Sequence, residues 1–118
     1  MEEEYLKAVS KTIYQQLSVN KRELWAWGSK NFCYLERKVE DKSCPALIFT
    51  IRTPKVLRGG RVIISLDEGA DEYIVEAIRI ISGVEKLIGK QTGVFCDQLH
   101  GVINSLIEDK ESYTKVLF

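Results

Sequence analysis

The sequence has no charge excess of either sign: 17 Lys and Arg residues balance 17 Asp and Glu. Bulk attraction to nucleic acid or to lipid headgroups needs a positive excess, so any such binding here requires a local basic patch. Cysteine is sparse and oddly numbered, with Cys33, Cys44 and Cys96 spaced widely and no Cys-x-x-Cys pair. That excludes a zinc ribbon or a dithiol redox motif and predicts free thiols in a reducing compartment. No apolar run approaches the roughly 20 residues that cross a bilayer. The first five residues are acidic and lack the basic and apolar regions of a secretory leader. The expectation is a soluble, cytoplasmic chain with no membrane partner. No internal repeat and no linker interrupts the 118 residues, which read as one domain over 1–118.

Hydrophobic residues make up 45% and charged residues 29%, the balance of a chain that buries a core. Leu6, Val9, Ile13 and Leu17 recur at helical spacing, with Glu2 to Glu4 in the first turn, where negative charge suits the helix dipole. Ser18-Val19-Asn20 is the expected exit. The pattern then alternates. Residues 24–27 and 32–35 are short aromatic runs around Gly28-Ser29-Lys30-Asn31, which predicts a β-hairpin. Residues 37–43 are charged without apolar periodicity and read as a solvated loop closed by Pro45.

Residues 47–51 form a clear strand, with Leu47, Phe49 and Ile51 on one side and Ile48, Thr50 and Arg52 on the other. Pro54 cannot continue a central strand, and Arg58-Gly59-Gly60-Arg61 reads as a loop tip. Val62, Ile64 and Leu66 share one side of the next strand. A turn over 67–71 leads to a strand over 72–81. Ser82 and Glu85 stand three apart, as in a capping box, and predict a short helix over 82–89, with a final strand over the same residues as the competing reading. After Thr92-Gly93 a second long helix carries Phe95, Leu99, Val102, Ile103 and Leu106 on one stripe and ends in charge over 108–111. The tail over 113–118 is apolar enough to dock. The fold class is therefore α+β: an N-terminal helix, an antiparallel sheet of about four to five strands, and a C-terminal helix packed on the sheet.

Catalytic and metal-binding patterns are scarce. His100 follows Cys96 by four residues, so a helix puts both on one face. A metal site needs three or four ligands, and no further cluster supplies them. The same pair lacks an orienting third group for nucleophilic catalysis. Gly59-Gly60 lies between strands rather than at a helix start, so it does not form a phosphate-cradling motif. Asp67, Glu68, Asp71 and Glu72 cluster in a turn without EF-hand spacing. The expectation is a protein that is not an enzyme and uses no cofactor or metal.

Two binding surfaces remain. On the strand over 72–81, Tyr73, Val75 and Ala77 share one face, and Ile74, Glu76 and Ile78 share the other. If the helices cover the first, Ile74 and Ile78 join Ile63 in a contiguous apolar patch. A second copy of the chain, or another protein, would cover it. This makes a self-associating or protein-interaction module the leading reading. The alternative is a nucleic-acid-binding accessory protein. Trp25, Trp27, Lys30, Arg58 and Arg61, with Arg52 and Lys55, would form an aromatic and basic platform.

Two stretches, Trp27-Gly28-Ser29-Lys30-Asn31-Phe32 and Gly93-Val94-Phe95-Cys96-Asp97-Gln98-Leu99, resemble paired motifs of small uncharacterised proteins encoded by phages and mobile elements of gut bacteria. Ser29 stands where that family usually has alanine, and Phe95 where it commonly has tyrosine. The resemblance implies a fold and a genomic setting, and assigns no functional residue.

Overall fold

The computed structural model describes residues 2–107. The architecture is α+β. Helix α1 (Glu3–Leu17) and helix α2 (Lys21–Ala26) precede five strands: β1 (Lys30–Val39), β2 (Lys42–Ile51), β3 (Gly60–Asp67), β4 (Glu72–Ile81) and β5 (Val84–Val94). Helix α3 (Leu99–Ile107) follows after a short 3-10 turn. The strands form one antiparallel meander in the order β1-β2-β3-β4-β5.

One face of the sheet carries the helices. Helix α1 packs on β1 and β2, and α3 packs on β4 and β5. Between them Ile13 and Leu17, Leu47 and Phe49, Val62 and Ile64, Val75 and Ala77, and Leu99 and Ile103 merge into one core. The alternation read from the sequence for β2, β3 and β4 is the alternation observed.

The opposite face carries no helix among the described residues, yet its centre is buried. The reason is curvature. In a flat sheet β1 and β5 would lie four strand spacings apart, roughly 19 Å. Here Arg37 of β1 reaches Glu85 of β5 at 2.6 Å and Glu76 of β4 at 3.2 Å. Glu40 of the β1–β2 turn also meets Lys90 of β5 at 3.5 Å. Bulges in the β1–β2 and β4–β5 ladders add local twist and help the sheet roll. Ala46, Ile63 and Ile78, flanked by Leu35 and Ile48, then pack against one another inside the roll.

This overturns the exposed isoleucine patch expected from the sequence. Ile63, Ile74 and Ile78 retain only 1%, 7% and 2% of their accessible surface. The expectation treated the sheet as flat, so that an uncovered face had to be an exposed one. A rolled sheet covers its inner face with itself.

Three local readings are also corrected. The hairpin over 24–35 is instead helix α2 followed by β1. Asn20 caps α2 by accepting from the Glu23 amide at 3.3 Å. The charged residues 37–43 are not a solvated loop but the tip of the β1–β2 hairpin. Its two turn residues, Glu40 and Asp41, both have positive φ, as a type I′ turn requires. Residues 82–89 are not helical: Ser82 and Gly83, again both at positive φ, turn the chain from β4 into β5. The expected charged end over 108–111 and the docking tail over 113–118 lie outside the described residues.

Candidate functional site

Helix α2 is short, and its geometry separates Trp25 within it from Trp27 just beyond its end. Leu24 and Trp27 point inward. Trp27 is 1% exposed, and its indole N–H donates to Asn104 Oδ1 of α3 at 2.6 Å. Asn104 in turn donates to Glu23 at 3.2 Å, which ties α2 to α3. Trp25, two residues back, is turned away and remains 85% exposed.

The chain reverses after α2 at Gly28, whose φ is +63° and whose missing Cβ would sit 3.2 Å from the Arg52 carbonyl. The Arg52 amide donates to the Trp27 carbonyl at 2.8 Å. That bond fixes the end of β2 against the end of α2, so Arg52 and Trp25 emerge at the same corner.

The loop from β2 to β3 is rigid. Thr53 and Val56 exchange two backbone hydrogen bonds at 3.0 Å, and Val56 is buried. The Thr53 hydroxyl donates to the Ile107 carbonyl at 2.8 Å and Lys55 Nζ to that of Leu106 at 3.1 Å, so the loop is fastened to α3. The glycine pair serves this packing. Gly59 has φ +67°, and a Cβ there would lie 2.2 Å from the Ile80 carbonyl oxygen. A Cβ on Gly60 would lie 2.6 Å from Val56. The fixed loop holds Leu57 out, 60% exposed, beside Arg58.

These elements frame an open cleft of about 630 Å³, lined by Trp25, Lys30, Asn31, Arg52, Leu57 and Arg61 among others and, among the described residues, by no Asp or Glu. Of the candidate nucleic-acid surface read from sequence, Trp25, Lys30 and Arg61 come together here with Arg52. Trp27 does not, because it is core. Arg58 lines a neighbouring cleft with Lys55. Sequence reading missed Leu57 and Arg79, which line that second cleft as well. A usable signal was present. Residues 42–66 hold Lys42, Arg52, Lys55, Arg58 and Arg61 and no acid. Since the whole chain balances at 17 and 17, the remainder carries an acidic excess of five. Neutrality overall hides a segregated charge.

Elsewhere the chemistry is structural. His100 Nε2 lies 2.8 Å from the Leu17 carbonyl, and its ring lies 5.7 Å from that of Trp27, so it joins α3 to α1. Cys96 and Cys33 are exposed and Cys44 is buried, where loss of solvent pushes its thiol up. Among the described residues no three His, Cys, Asp or Glu side chains are placed to hold a metal ion. No described helix is long and apolar enough to cross a membrane. Comparison with protein-family models, with curated proteins and with solved structures finds no match to this chain.

Proposed function

We propose that the protein is a non-catalytic accessory factor that binds single-stranded nucleic acid at the α2 corner of the sheet. One observation carries the reading: an indole 85% exposed stands at the rim of a cleft lined by three cations, Lys30, Arg52 and Arg61, and by no acid among the described residues. A tryptophan so exposed buries little of its surface in the fold and offers its π-face to an unpaired base. The cations around it suit phosphates, which attract Lys and Arg whatever the sequence. A duplex hides its base faces, so the aromatic platform favours a single strand.

A protein-contact reading retains support from a different place. Ile81, Val84 and Leu87, at and beyond the β4–β5 turn, are exposed and could meet a second copy or another protein. The buried Ile63, Ile74 and Ile78 no longer support that reading.

The nucleic-acid reading is tested by fluorescence anisotropy of a labelled oligo-dT or oligo-rU strand at low salt. The parent is expected to bind, and Trp25→Ala to weaken binding by about 1–3 kcal/mol, roughly five- to 150-fold. Trp25→Phe should retain part of the affinity. A parent that binds neither strand, or a Trp25→Ala variant that binds as the parent does, overturns the proposal.

A further inference from the structure

We infer that the Trp25 cleft is one half of a longer track, and that the strand continues over Leu57 into the second cleft. The inference rests on the reading of the Trp25 cleft given above. Leu57 lines both clefts, so they are continuous across one side chain. The second, about 330 Å³, carries three further cations, Lys55, Arg58 and Arg79, and again no carboxylate among the described residues. A polyanion leaving the first cleft meets positive charge on the far side of Leu57.

The second cleft is built rather than incidental. Arg79 leaves β4 and is oriented by the Lys55 carbonyl, to which its Nη2 donates at 3.1 Å. That bond holds the Arg79 guanidinium at the cleft, where its charge faces an incoming phosphate. Leu57 and Ile81 supply apolar contact for a base on this side, as Trp25 does on the other. The backbone beneath Leu57 is anchored, because Val56 beside it is buried and the Thr53–Val56 turn is bonded to α3. It acts as a ridge between two phosphate-binding troughs.

The test compares labelled oligo-dT strands of increasing length, from four to twelve nucleotides, on the full chain. Affinity is expected to rise from the short strand to the long one by more than the added statistical sites allow. Arg58→Gln, at an exposed position, and Arg79→Gln should each weaken the twelve-nucleotide strand about fivefold and leave the four-nucleotide strand unchanged. Each should lower the salt slope on the long strand by about 0.7, the share of one phosphate. Trp25→Ala should weaken every length. If the long strand gains nothing, or both arginine variants bind it as the parent does, the track is wrong while the Trp25 cleft stands. If no strand binds, or Trp25→Ala alters none, the reading beneath it has failed too. Unchanged urea midpoints for the variants confirm that each is folded.

Discussion

Trp25 and Trp27 lie two positions apart on and just after a helical turn, where that spacing points side chains to nearly opposite sides. The same spacing on a strand would put them on one face. The sequence reading assumed the strand, because aromatics followed by a Gly-containing turn favour a hairpin. It placed both rings on one candidate platform, whereas Trp27 is buried, where a large aromatic contributes more buried area than other side chains. What it lacked was the Asn20 cap that starts the helix. The consequence is measurable. Trp27→Ala removes a buried ring and its bond to Asn104 and is expected to cost about 3–5 kcal/mol. Trp25→Ala removes an exposed ring and is expected to stay within about 0.5 kcal/mol of the parent. Urea denaturation followed by circular dichroism separates the two. Equal losses would mean that Trp25 is part of the core and unavailable as a platform.

At the scale of elements, two of the readings that failed share a cause. Glu40-Asp41 and Ser82-Gly83 both form two-residue turns that need positive φ twice. Neither is one of the common pairs, and in each the charged or capping residues around it suggested something else. Glu85 looked like the far half of a capping box, but its carboxylate accepts from Arg37 instead. Arg37 looked like part of a solvated loop, yet it is the clasp of the rolled sheet. Hydrogen bonds from its guanidinium to Glu85 and Glu76 hold it firmly charged. No periodicity in one strand reports how far a sheet rolls, so this pairing was not legible. The strands themselves were, since β2, β3 and β4 each alternate cleanly. Arg37→Met leaves Glu76, whose side chain is only 9% exposed, without its counter-charge. The expected loss is about 3 kcal/mol. Adding Glu76→Leu should recover much of it, because an apolar pair avoids the desolvation cost. Guanidinium denaturation of the single and double variants is the measurement. A single variant as stable as the parent would mean that the ion pairs do not hold the roll closed.

For the molecule as a whole, the helices and the sheet are joined by hydrophobic contact and, around α1, by phenols. Tyr5 of α1 donates to Glu68 of the β3–β4 turn at 2.7 Å. Tyr34 of β1 donates to Glu3 of α1. Tyr73 of β4 donates to Gln16 of α1 at 2.8 Å. Three hydroxyls therefore span the same interface, and each loses its donor when it ionises. The carboxylates of Glu68 and Glu3 raise Tyr5 and Tyr34 above the ordinary tyrosine range, and burial raises Tyr73. A phenol whose folded value lies above its unfolded value favours the folded state while both are protonated. That contribution is complete below the ordinary value of about 10 and is lost as pH rises through the folded values. Ionised Tyr5 and Tyr34 would then face carboxylates, so repulsion adds to the lost bonds. The buried Cys44 thiol, also raised, contributes with the same sign from a lower pH. The urea midpoint is therefore expected to decline steeply above about pH 10. A Tyr5→Phe, Tyr34→Phe variant should be somewhat less stable at neutral pH and should show a flatter alkaline limb. A parent whose midpoint is level from pH 9 to 12, or a variant with an unchanged limb, would show that the phenols do not hold α1 to the sheet.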